Sequence, residues 1–137
     1  MRIDNRAIKN VLAVRNDRFG EFLLNIPAFR ALKETFSNAR LIVVVDPYIR
    51  QLAESIPFID EVIEWDRARH SLLEKFRLIK LLKRKNIGMA VMLNPSRQFN
   101  CLAYLAGIPI RVGYNRKWGL LLTHKMEDRK YQGLEHE

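Results

Sequence analysis

The chain has 137 residues, 48% hydrophobic and 28% charged, which suits one folded domain with a real core and argues against a disordered or low-complexity polypeptide. Its 24 Lys and Arg against 15 Asp and Glu leave a formal net charge of +9, so an anionic partner is favoured, whether phosphate groups, an acidic membrane surface or nucleic acid. One cysteine, Cys101, excludes an internal disulfide and a cysteine zinc cluster, and reads as a small buried residue of a protein from a reducing compartment.

Met1 is followed by RIDNRAIKN, which has charges and no apolar core of signal-peptide length. No stretch approaches the roughly 18 to 20 apolar residues needed to span a bilayer. A cytoplasmic protein is expected, one that touches any membrane from outside.

Residues 11–14 form a short apolar run with the character of a buried parallel strand. It opens into the polar turn RNDRFGE. Pro27 is well placed only in a helix's first turn, so the following region splits into a short helical turn near 21–25 and a helix from about 27–36. Ala28, Ala31, Leu32 and Thr35 have the spacing of its inward face. Residues 40–45, RLIVVV, are almost wholly β-branched and apolar; a strand apolar on both sides needs helices on both sides, which argues for a parallel sheet. Asp46-Pro47 ends that strand, and a short helix at 49–54 and a third strand at 61–65 follow.

Ser71, with Glu74 at capping-box distance, starts a long helix reaching about residue 85. Leu72, Phe76, Ile79 and Leu82 are its expected apolar stripe, with Lys75, Arg77, Lys80, Lys83, Arg84 and Lys85 making the opposite side basic. A fourth strand at 89–93, the turn Asn94-Pro95-Ser96, a helix at 97–106 and a fifth strand at 110–113 complete the alternation. From Tyr114 onward the weak periodicity predicts an ordered loop and a frayed tail. The pattern as a whole is an open, doubly wound α/β sheet.

Ligands of such sheets bind at the carboxyl ends of the strands, which directs attention to Arg15, Asn16, Asp17, Arg18, Gly20 and Glu21. The turn has one glycine in place of GxGxxG, and neither GxxxxGK[ST] nor HExxH occurs. A dinucleotide enzyme and a P-loop NTPase are therefore not expected. Three scattered histidines, His70, His124 and His136, lack metal-ligand spacing, so no metal is expected either. Glu21 is either an acid satisfying a helix N-terminus or a general base at the mouth of the sheet. Arg15 and Arg18 are either anion-binding groups or residues of a solvated turn.

VLAVRNDRFGEFLLNIPAFRALKETFSNARLIVVVDPY, followed in order by VMLNPSRQFNCLAYLAGIPIRVGYNRKWGLLLTHK, resembles the amino-terminal domain of the family 9 glycosyltransferases, the heptosyltransferases of lipopolysaccharide core synthesis. The likeness runs over residues 11–136. It implies a Rossmann-like sheet, the N-terminal half of a GT-B type glycosyltransferase, with residues 1–137 as the acceptor-side domain and the C-terminal donor-binding domain absent. The implied chemistry is an inverting transfer from a nucleotide sugar such as ADP-heptose to an anionic glycolipid acceptor, without an obligatory metal. Glu21 falls at the position of the catalytic carboxylate, where the family most often has Asp. Asn94, Ser96 and Arg97, and Arg111, Gly113, Tyr114, Arg116 and Lys117, are further family-like positions, with Arg97 and Arg116 suited to forking onto acidic sugar or phosphate groups.

A lipid-linked acceptor also gives the basic side of residues 75–85 a use, as an electrostatic footprint on the cytoplasmic face of an inner membrane; its plainer role is a solvated face that keeps the domain soluble. The second functional reading is a non-catalytic module that binds a phosphorylated glycan or glycolipid. Nucleic-acid binding rests on charge alone, lacks an aromatic platform and is not expected.

Overall fold

The computed structural model describes residues 7–15, 19–66, 71–93, 97–114 and 121–126, with only the backbone of Phe19, Tyr114, Lys125 and Met126 described. Strands β1 (Asn10–Val14), β2 (Arg40–Val45), β3 (Glu61–Glu64), β4 (Met89–Met92), β5 (Ile110–Tyr114) and β6 (His124–Met126) alternate with helices α1 (Phe19–Leu24), α2 (Ile26–Thr35), α3 (Arg50–Glu54), α4 (Leu72–Arg84) and α5 (Arg97–Leu105). A 3-10 turn, Pro47–Ile49, leads into α3. The strands form one sheet in the order β3-β2-β1-β4-β5-β6, and every adjacent pair is parallel.

The sheet divides the interior into two cores, because successive side chains of a strand point to opposite faces. Val11 and Ala13 of β1 and Val43 and Val45 of β2 join Phe22, Phe29, Ile49 and Ala53 from α1, α2 and the segment leading through α3. Leu12, Val14, Ile42 and Val44 face the other way, onto Leu78, Leu82, Phe99 and Leu102 of α4 and α5. The apolar run of β2 is therefore explained by cover on both faces, as a parallel strand requires.

Several elements depart from the sequence expectation. The region after Tyr114 is not only loop and tail, since β6 adds a sixth strand paired through Val112↔His124 and Gly113↔Lys125. Three residues, HKM, are too few for a periodic signal; the strand exists because β5 offers an open edge. Gly113 allows the approach: a Cβ there would lie 3.3 Å from Leu122 and from Met92. In α2 the anchor is Phe29 and not the small-residue face, for Ala31 and Thr35 are exposed while Phe29 is buried against Phe22 with ring centroids 5.3 Å apart. Cys101 is only partly buried.

The long helix carries the predicted capping box: Ser71 Oγ accepts from the Glu74 N–H at 3.2 Å and Glu74 Oε1 accepts from the Ser71 N–H at 3.0 Å. Its buried face is different from the one expected. Leu78 and Leu82 enter the core, whereas Leu72 and Phe76 lie on a side of the helix that the sheet does not reach. Lys75 and Lys85 are correspondingly half-buried rather than part of a basic outer face, and Lys85 pairs with Glu61.

Asp60 ties α2 to the outer strands. Its carboxylate accepts from Lys33 Nζ at 2.7 Å and from the Leu41 N–H at 2.8 Å. Burial pushes its pKa up, but the Lys33 and Leu41 hydrogen bonds, with the charges of Lys33 and Arg40, outweigh burial and hold it below the ordinary 3.8. A depressed carboxylate stabilises the fold above its unfolded pKa and ceases to do so as pH falls through the folded value. Asp60→Asn is thus expected to lower the melting temperature at about pH 7 and to narrow the gap to wild type at about pH 3, a comparison made by thermal unfolding.

Candidate functional site

The strand order reverses between β1 and β4, and such a switch point opens a crevice at the carboxyl edge of a parallel sheet. Arg15, the first residue after β1, lies at that edge. Its backbone N–H continues the ladder to the Val44 carbonyl at 3.2 Å. Its guanidinium Nη1 donates to the Leu93 carbonyl, just past β4, at 2.9 Å, and Nη2 donates to Glu21 Oε2 at 2.8 Å. One buried arginine, 8% exposed, therefore joins the ends of both switch-point strands to the first turn of α1.

Glu21 stands in that first turn. Phe22, the next residue, is fully buried and fixes the helix on the sheet, while the Glu21 side chain remains 43% exposed. Asn25 closes the helix by donating to the Glu21 carbonyl at 2.8 Å. The carboxylate is thus held through Oε2 by a rigid cation, and Oε1 has no partner among the described residues. The dipole role and the site role of Glu21 are compatible, since an acid in a helix's first turn is favoured on either account. Such a carboxylate is suited to accepting a proton from a hydroxyl placed in the crevice.

Arg15, Gly20 and Glu21 are therefore brought together, and Arg15 serves as the anchor of Glu21 in addition to contributing charge. Gly20 lies within α1, exposed, with open space where a side chain would stand. Asn16, Asp17, Arg18, Asn94, Ser96, Arg116 and Lys117 lie outside the described residues. Arg97 opens α5, on the other face of the sheet from α1, and lines a groove against α4. Arg111 is structural: its guanidinium donates to the Leu121 and Ile108 carbonyls, each at 2.6 Å, and lies 5.2 Å above the Tyr104 ring.

Two features of the crevice were not anticipated. The Leu93 carbonyl that orients Arg15 is a backbone atom and leaves no mark in the sequence. Asp46, the residue after β2, is a buried carboxylate on the same edge; an Asp directly before Pro47 reads as a strand stop, and only the register Val14↔Val44 puts it at the edge where Arg15 stands.

No protein-family model matches the sequence. A Haemophilus influenzae protein described as a putative glycosyltransferase is 30% identical over 124 residues, which is 90% of this chain and 36% of that protein. Among solved structures, the E. coli ADP-heptose lps heptosyltransferase II superposes with a TM-score of 0.76 at 22% identity, over 88% of this chain and 36% of its own. The glycosyl transferase family 9 structure from Veillonella parvula gives 0.77 at 23% identity, over 94% and 38%. E. coli heptosyltransferase WaaC with ADP-2-deoxy-2-fluoro heptose gives 0.70 at 16%, over 86% and 42%. The chain accordingly spans a little over a third of the curated relative that it matches.

Proposed function

We propose, from the resemblance of this chain to part of the family 9 glycosyltransferases in sequence and in fold, that it is the acceptor-binding half of such an enzyme. The donor is a nucleotide sugar of the ADP-heptose kind and the acceptor an anionic, lipopolysaccharide-core type glycolipid met at the cytoplasmic face of a membrane. The observation that carries the reading is the Glu21 carboxylate fixed by Arg15 at the switch point of the sheet, 2.8 Å from its guanidinium. Glu21 takes the proton of an acceptor hydroxyl, the oxygen attacks the anomeric carbon from the face opposite the leaving group, and the nucleoside diphosphate departs with inversion. The step needs no metal from this half. Arg15 keeps the base on its rotamer, and Asn16, Arg18, Gly20, Asn94, Ser96, Arg97 and Arg116 are the positions assigned to the acceptor.

The reading is tested with a chimera in which this chain replaces the segment that it matches in the Haemophilus relative. ADP release from ADP-heptose that depends on a lipopolysaccharide-core acceptor is the expected result, with the 137-residue chain alone binding acceptor and releasing no ADP. A folded chimera that binds neither donor nor acceptor would refute it. The alternative of a non-catalytic glycan-binding module draws no support from the relatives, which are described as transferases.

A further inference from the structure

The unexpected orientation of α4 leaves a surface unlike the rest of the molecule. Leu72, Leu73 and Phe76 are 72%, 58% and 62% exposed, and Leu105 of α5 is 50% exposed. They border two adjoining grooves of about 480 and 580 Å³ between α4 and α5, which share Phe76, Ile79 and Leu105. Large apolar side chains gathered in this way are unusual on a free surface and mark a docking site. The same grooves are edged by cations: Lys75 and Arg97 on one, Arg77, Lys80 and Lys83 on the other. The sole acid of the two helices is Glu74, engaged in the capping box. Among the described residues, Arg77, Lys80 and Lys83 form no ion pair.

We infer that the α4–α5 face docks this protein on an anionic lipid bilayer, with Leu72, Leu73, Phe76 and Leu105 entering the headgroup boundary and Arg77, Lys80 and Lys83 resting on lipid phosphates. Protruding apolar residues flanked by lysine and arginine are what an interfacial helix uses, the apolar part giving depth and the basic part attraction to acidic lipid. A second copy of the chain fits poorly, because two such faces would bring like charges together. No described helix is long and apolar enough to cross a membrane, so the contact is with the surface.

The placement deepens the proposed function. In a parallel sheet the helices run back against the strands, so the N-terminal ends of α4 and α5 lie on the edge that carries Arg15 and Glu21. Docking through Leu72, Leu73 and Phe76 brings that edge near the bilayer, where a lipid-borne acceptor presents its sugars. The purpose of the surface rests on the acceptor-side reading, but vesicles without acceptor measure the binding by itself, so the two fail separately.

The test is co-sedimentation of the 137-residue chain with vesicles of phosphatidylcholine alone and of phosphatidylcholine mixed with phosphatidylglycerol. Binding is expected only to the mixed vesicles. Arg77→Gln with Lys80→Gln should weaken it roughly 25-fold, at about 5-fold for each charge. Leu73→Ser with Phe76→Ser should weaken it at least about tenfold. Lys9→Gln with Arg30→Gln removes the same charge from the amino edge and from α2, and should leave binding unchanged. All four positions of the α4 variants are exposed, and circular dichroism confirms their folding; should the apolar pair unfold, the charge pair still decides. Equal binding to neutral vesicles, binding to neither, or an equal loss from the Lys9 and Arg30 changes would overturn the inference. A concentration-dependent dimer that Phe76→Ser returns to monomer would give the face to a second copy and overturn it as well.

Discussion

In the chimera with the Haemophilus relative, Glu21→Gln is expected to lower acceptor-dependent ADP release by roughly 10²- to 10⁴-fold, the usual contribution of a positioned general base. The amide keeps the length of the side chain and can still accept from Arg15 through its oxygen, 2.8 Å away in the native pair. What it cannot do is take a proton. Acceptor affinity should therefore stay close to that of the unaltered chimera, so that the loss appears in turnover and not in KM. Near-normal turnover would remove Glu21 as the base and return it to the helix-terminus role. Glu21→Asp is the informative companion, because it keeps the charge and changes only the reach of the side chain. Shortening the side chain withdraws the carboxylate from Arg15, and a partial loss would show that the pair sets its reach.

Phe22→Ala should destabilise the fold by about 3–5 kcal/mol, as large-to-small changes of buried aromatics do. Phe22 is fully buried and meets Phe29 at 5.3 Å between centroids, so the change opens a cavity under α1 and loosens α2 with it. Denaturant unfolding of the 137-residue chain reads the effect directly. The six residues of α1 make too short a helix to persist without packing. Glu21 sits on its first turn, so the same substitution in the chimera should reduce turnover even at temperatures where the protein remains folded. A loss of less than about 1 kcal/mol would mean that Arg15, and not the aromatic pair, holds α1 in place.

The alternation of strands and helices was legible because each element of the doubly wound sheet carries its own local signal: the β-branched run of residues 40–45, the Ser71 capping box, Pro27 at the start of α2. What escaped depends on neighbours. Whether Phe76 or Leu78 enters the core is decided by how α4 lies on β3 and β4, and both positions are apolar. The strand at His124–Met126 is defined by the open edge of β5 and by the missing side chain at Gly113. For the site, an acid after a glycine, following the first strand, marked Glu21 as a candidate and left its role open between helix terminus and base. That Arg15 would be its anchor was not legible, because the geometry runs through the carbonyl of Leu93, 78 residues away.

The division of the interior by the sheet also separates two kinds of change. Phe22 and Phe29, which carry the candidate base, belong to one core, and Leu78, Leu82 and Phe99, which carry the basic apolar face, belong to the other. They share only the strands between them. Sequence drift in α4 and α5 can therefore reshape the exposed apolar and basic face without disturbing the Arg15–Glu21 pair, while drift around α1 can alter that pair and leave the α4–α5 face intact. One sheet in this way lets the proposed address and the proposed reaction evolve apart.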